Sequence, residues 1–131
     1  MPAGGSETIL LVEDEDLVRR LEREVLEQSG YRVLEASNGA DALEVARAHL
    51  GVIDLLLTDT VMPQLNGHEL AEELRARRPE MKILFTSGYA ADAIHRVLEP
   101  SIAFLPKPFT PTSLGRKVRE VLDFSGEAAT A

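Results

Sequence analysis

The 131-residue chain contains no cysteine. Disulfides, thiol nucleophiles and cysteine-ligated zinc or iron–sulfur centres are therefore excluded. Basic residues are also scarce, with 14 Lys and Arg against 22 Asp and Glu, a formal net charge of -8. Direct nucleic-acid binding and adhesion to anionic membranes both need a basic surface, so neither is expected as the main role. Long hydrophobic runs are missing as well. The longest, Ile9 to Val12 and Leu55 to Leu57, are far too short to span a bilayer, and no basic-then-apolar leader precedes them. No membrane insertion is expected, which points to the cytoplasm. Repeats and low-complexity tracts are absent too. What is present is the composition of an ordinary folded domain, 44% hydrophobic and 27% charged, with enough length to bury roughly two-thirds of its unfolded surface.

Met1 to Glu7 is rich in Gly, Ala and Pro and reads as a flexible tail, with the folded domain over residues 8–124 and a second tail over 125–131. Ile9 to Val12 suits a strand buried on both faces. Leu17, Val18, Leu21, Val25 and Leu26 then recur at helical spacing with Arg19, Arg20, Glu22 and Arg23 between them, and Gly30 closes the helix. The alternation continues with a strand over Tyr31 to Ala36 and a helix over Ala40 to Ala48 that turns Ala42, Leu43 and Ala46 inward. The strand Ile53 to Thr58 follows, and after it a helix with Leu70, Ala71 and Leu74 on one face. A strand over Lys82 to Thr86, a fourth helix over about Ala91 to Leu98 and a short strand near Ala103 to Leu105 come next. The last helix has Thr110 as N-cap and Pro111 at its first position, and it buries Leu114, Val118, Val121 and Leu122. Five strands in strict alternation with five helices predict an α/β fold of the (βα)5 type, a doubly wound five-stranded parallel sheet with ligands at the carboxyl ends of its strands.

Those ends present Glu13 and Asp14, then Asp59, then Ser87, then Lys107. Three carboxylates on one edge repel one another, and a hard divalent cation with oxygen ligands, Mg²⁺ above all, is the simplest way to stabilise them. A nearby lysine and hydroxyl suit a phosphoryl group. Together these are the parts for phosphoryl transfer to an aspartate.

The segments Ile9 to Glu15, Leu57 to Pro63, Thr86 to Tyr89 and Lys107 to Phe109 resemble, in order, the motifs of response-regulator receiver domains, and the resemblance runs from about Thr8 to Leu122. Phe85 to Tyr89 and Phe104 to Phe109 are most similar to receivers of hybrid sensor histidine kinases. The resemblance implies a flavodoxin-like receiver fold and a phosphoacceptor signalling domain of a phosphorelay, with no separate substrate and hence no enzyme in the usual sense. It implies Asp59 as phosphoacceptor, with a histidine kinase or histidine phosphotransfer domain as donor. Asp14 and Glu13 are implied to hold Mg²⁺ together with Asp59 and the backbone carbonyl of Val61. Lys107 and Ser87 are implied to bond the phosphoryl oxygens, and the Lys107–Pro108 peptide to be cis. Ser87 and Phe104 stand at the family's switch positions, so phosphorylation would shift the face made by the fourth helix, the fifth strand and the last helix, a face that could also form a homodimer.

Each residue also has a plainer reading. Glu13 and Asp14 could only complement a helix dipole, Asp54 reads as a solvated loop acid, Phe104 could be core alone, and Thr86 competes with Ser87. His49, His68 and His95 show no metal spacing and read as surface residues. A haloacid-dehalogenase-like phosphohydrolase would also use a strand-end Asp with Mg²⁺, but it wants a second Asp where Val61 stands. A flavodoxin-like cofactor module lacks its hydroxyl- and glycine-rich loop. A phosphorylation-independent interaction module on the same fold is the remaining alternative.

Overall fold

The computed structural model of the chain describes residues 5–60, 66–87, 103–107 and 109–123, with Ser87 described by its backbone alone. The apolar run at the start forms β1 (Thr8–Val12), followed by α1 (Asp16–Gln28), β2 (Arg32–Ala36), α2 (Gly39–Ala48), β3 (Leu55–Asp59), α3 (Gly67–Arg77), β4 (Lys82–Ser87), β5 (Ala103–Pro106) and a C-terminal helix (Pro111–Asp123). All strand pairings are parallel, in the order β2-β1-β3-β4-β5. Strand order reverses at β1, so the carboxyl ends of β1 and β3 meet where such sheets bind ligands. The expected fourth helix, with His95 in it, lies outside the described residues.

Side chains alternate across the sheet and divide the core into two layers. Leu10, Val12, Leu56, Phe85 and Phe104 pack against Ala42, Ala46, Leu70, Ala71 and Leu74 of α2 and α3. Ile9, Leu11, Leu55, Leu57, Leu84 and Leu105 pack on the other face against Leu26 of α1 and Leu114, Val118 and Val121 of the C-terminal helix. β1 and β3 are buried along their whole length, as strands covered on both faces must be.

Local signals set the element ends. The Asn38 side chain accepts from Asp41 N at 2.7 Å to start α2, and Asn66 and Glu69 form a reciprocal capping box at α3. Thr110 and Ser113 cap the C-terminal helix in the same reciprocal way. Lys82 Nζ donates to the Leu122 carbonyl at 2.7 Å near its other end. The segment before β1 is held as well, since Gly5 N donates to the Ser29 carbonyl and Glu7 pairs with Arg119.

Five residues sit differently from the expectation. Leu17 and Leu21 are exposed, at 67% and 53%, and the buried face of α1 instead carries Glu22 and Leu26. The helix offers two overlapping stripes, and its packing on the sheet selects the one containing an acid. Asp54 is not a free loop acid, because its Oδ2 accepts from Thr8 N at 2.8 Å and ties β3 to the start of β1. His68 is half-buried, with its ring 4.4 Å from that of Phe85.

Gly30 ends α1 with φ of 99°, a left-handed backbone that a side chain disfavours, and a Cβ there would approach the Gly5 carbonyl oxygen to 2.5 Å. Gly30→Ala should therefore destabilise the fold by about 1–2 kcal/mol. Urea unfolding with an unchanged midpoint would refute this account of the α1–β2 turn.

Candidate functional site

The sheet delivers three charged side chains to one edge by the same step. Glu13, Asp59 and Lys107 each stand two residues beyond a leucine of the same core layer, namely Leu11, Leu57 and Leu105. Period-two alternation therefore turns all three to that side of the sheet. Lys107 Nζ donates to Glu13 Oε1 at 2.8 Å and to Asp59 Oδ2 at 3.0 Å. Glu13 is 1% exposed and Asp59 7%, while neighbouring Asp14 faces solvent. One carboxylate oxygen from each of Glu13, Asp14 and Asp59 can be chosen so that all lie within 4.8 Å of one another.

Burial pushes the Glu13 carboxyl above its ordinary range, and the negative charge of Asp59 adds to this, against the opposing pull of Lys107. For Lys107, burial works to lower the ammonium pKa, but the bonds to Glu13 and Asp59 outweigh it and hold the group firmly charged.

The backbone around Asp59 is fixed from several directions. Thr58 Oγ1 donates to the Asp59 carbonyl at 3.0 Å, and Thr60 N donates to the Thr86 carbonyl at 3.1 Å. Gly67 N donates to the Thr60 carbonyl, and a Cβ on Gly67 would stand 2.3 Å from the Asp59 carbonyl oxygen. Only glycine permits that approach. On the other flank, Arg19 Nη1 donates to the Glu13 carbonyl at 2.8 Å while Arg19 also pairs with Asp16 and Glu35. Sequence reading passed over both residues. Gly67 had a trace, a glycine right after an N-cap asparagine, but Arg19 looked like any arginine on a polar helix face.

The structure thus brings together Glu13, Asp14, Asp59 and Lys107. Ser87 ends β4 opposite Pro106, one residue past Thr86, which pairs with Asp59. Phe104 is 9% exposed and belongs to the opposite layer, against α2 and α3. Val61, the Lys107–Pro108 peptide and the Ser87 side chain lie outside what is described. Among the described residues no helix is long and apolar enough to cross a membrane.

The sequence model of the response regulator receiver domain matches residues 9–119. The chain belongs to the receiver domain family. It is 45% identical over 121 residues to the sensor kinase CckA of Brucella abortus, an alignment covering 91% of this chain but only 13% of the kinase. To the response regulator receiver protein CpdR of the same organism it is 38% identical over 116 residues, which is 87% of this chain and 95% of CpdR. The crystal structure of the receiver domain from the hybrid histidine kinase CckA superposes with a TM-score of 0.76 at 37% identity, covering 88% of this chain and 99% of that one. A receiver protein from Sinorhizobium medicae gives 0.79 at 31% identity, covering 90% and 95%. The flavodoxin-like receiver fold and the likeness to hybrid-kinase receivers are both borne out. Receiver domains are signalling domains of two-component systems, and the family uses Mg²⁺ at an acidic pocket. The carboxylates of this receiver fit such an ion, being hard oxygen donors gathered closely enough to share it.

Removing the shared ammonium tests the electrostatics. Lys107→Met leaves buried Glu13 and Asp59 without their cation and should cost about 2–3 kcal/mol at pH 7.5, the lower end for a broken buried pair because Lys107 keeps some solvent contact. Glu13 has a raised pKa, so acid neutralises it readily, and the deficit should shrink as pH falls toward 4.5. A deficit in urea unfolding that grows on acidification would contradict the assignment.

Proposed function

We propose that this receiver accepts a phosphoryl group on Asp59 from a phosphohistidine donor, a histidine kinase or a histidine phosphotransfer domain. The observation that supports it most directly is the pair of hydrogen bonds that Lys107 Nζ donates to Glu13 and Asp59, which sets an ammonium against the carboxylate that would be phosphorylated. An Asp59 carboxylate oxygen attacks phosphorus, the P–O bond forms as the P–N bond to the donor imidazole breaks, and the imidazole keeps the electron pair and takes a proton from solvent. Lys107 then turns from carboxylate toward phosphoryl oxygen, and the Ser87 hydroxyl is the second donor in this reading. Glu13, Asp14 and Asp59, with the carbonyl of Val61, would hold Mg²⁺, which when bound supplies positive charge against the phosphoryl oxygens.

Phosphorylation replaces the single negative charge of the Asp59 carboxylate with about -1.5 to -2 on the acyl phosphate, beside Glu13, which is already buried. Compensation of the added charge draws on Lys107 and Ser87, at the ends of β5 and β4, so the response belongs to the face that includes β5 and the C-terminal helix. That face signals by contact with a protein partner or a second copy of the chain. Donor docking has support on the other flank, where Leu17 and Leu21 lie exposed, i to i+4, in the helix that begins two residues after Asp14.

Incubation with acetyl phosphate and Mg²⁺ should add one acid-labile phosphoryl group by intact mass, and Asp59→Asn should abolish it. An unmodified wild-type chain, or equal labelling of Asp59→Asn, rejects the reading. The double variant Leu17→Glu, Leu21→Glu should slow transfer from a phosphohistidine donor by about tenfold or more, and slow it more than transfer from acetyl phosphate. Equal slowing from both donors would remove α1 from the docking surface.

A further inference from the structure

One buried acid takes no part in the scheme above. Glu22 lies on the inner face of α1 at 5% exposure, one turn before Leu26, which belongs to the core layer formed by Leu11, Leu57, Leu105, Leu114 and Val118. Its Oε2 is fully enclosed and has no hydrogen-bond partner among the described residues. A side chain in that position is ordinarily apolar, and an isolated carboxylate there would cost several kcal/mol. The layer is capped at the sheet edge by Glu13, Asp59 and Lys107, the three charged groups that project to the same side.

We propose that Glu22 is a neutral, proton-bearing acid beneath the acidic site, and that its proton is coupled to the charge the site holds, so that occupancy of the site responds to pH. The proposal rests on the reading of Glu13, Asp14 and Asp59 as a cation site. Burial is the main force keeping the proton on Glu22, pushing its pKa up to about 8; the negative charges of Glu13 and then Asp59 reinforce it, and Lys107 opposes it. Other charges around α1 are engaged elsewhere. Glu35 of β2 is held by Arg19 and Arg23, and on the C-terminal helix Lys117 pairs with Glu120 and Arg119 with Glu7 and Asp123. That helix turns Leu114 and Val118 to the layer.

The consequence is a linkage that runs both ways. Added positive charge at the edge favours ionised Glu22 and releases its proton; equally, ionised Glu22 strengthens cation binding as pH rises through its midpoint. A phosphoryl group acts in the opposite sense. It holds the proton on Glu22, so a neutral acid and not a fourth negative charge lies under the phosphorylated edge.

The test is the side-chain carboxyl carbon resonances of the glutamates and aspartates of the full chain, followed by NMR against pH with and without Mg²⁺. One glutamate should titrate near pH 8, far above the others, and that signal should be absent from Glu22→Gln, a shape-conserving variant that keeps a neutral side chain in place. Saturating Mg²⁺ should lower its proton affinity about tenfold or more. Asp59→Asn, without metal, should also lower its midpoint, because one of the negative charges that holds the proton is gone. The proposal is overturned if no glutamate titrates between pH 6 and 9, if the high signal persists in Glu22→Gln, or if neither Mg²⁺ nor Asp59→Asn moves it. Mg²⁺ that shifts the Glu13, Asp14 and Asp59 resonances but not that of Glu22 overturns the coupling and leaves the cation site standing. Mg²⁺ that shifts none of them overturns both.

Discussion

Everything at the sheet edge depends on one ammonium shared by two buried carboxylates. Lys107 reaches Glu13 and Asp59 only because three strands deliver them in phase, and that phase is fixed by the register Leu11 to Leu57 across β1 and β3 and Leu84 to Ala103 across β4 and β5. A slip of one residue in any strand would turn its leucines to the wrong layer and its terminal charge to the other face. The hydrophobic pattern thus specifies the register, and the register assembles the charges. The arrangement is costly for folding, since Glu13 is enclosed and its pKa is raised, and the pairing with Lys107, helped by the Glu15 N–H donated to Glu13 Oε2, offsets that cost.

What could be read from the sequence followed from rules with a fixed period. Apolar runs ending in Glu13, Asp59 and Lys107, the N-cap of Thr110 before Pro111, and Gly30 at the end of α1 each carry a local signature, and the structure honours them. The five strands and the edge acids were legible for the same reason. The helix α1 was legible too, but the face it turns inward was not, because Leu17 and Leu21 satisfy helical spacing as well as Val18, Val25 and Leu26 do. Spacing cannot choose between stripes about 100° apart; contact with the sheet does, and here it buries Glu22 and exposes two leucines. Asp54, Arg19 and Gly67 escaped for a different reason. Each acts on backbone that is distant in sequence or becomes close only in the fold, namely Thr8 N, the Glu13 carbonyl and the Asp59 carbonyl.

Burial of Glu22 and exposure of Leu17 and Leu21 are two sides of one choice. Turning the helix by one residue would exchange an enclosed acid for a leucine and give a drier core, so sheet packing is overriding local preference here. Cores accept such a group at a functional edge more readily than in a purely structural layer, because the same low-dielectric surroundings that penalise it also make it responsive to charge nearby.

The two-layer core constrains how a charge at Asp59 can reach the surface. Glu13, Asp59 and Lys107 belong to one layer, whereas Phe104 belongs to the other, packed with Phe85 and Leu56. Side-chain contact within a layer cannot connect them; the backbone ladder can. β4 pairs Thr86 with Asp59 on one side, and on the other Phe85 with Phe104 and Ser87 with Pro106, directly before Lys107. A pull on the end of β4 is therefore felt at once beside Asp59 and at Phe104, through hydrogen bonds that resist stretching. Phe104 has no hydroxyl with which to hold a new rotamer by a side-chain hydrogen bond, so on phosphorylation as proposed, apolar packing would carry much of the weight. Packing is non-directional and roughly proportional to the area buried. Under the proposed reading, in which a phosphoryl group on Asp59 draws on the end of β4, the same ladder would carry that pull to the strand from which Phe104 hangs, and the fit of its ring in the α2–α3 layer is what would change.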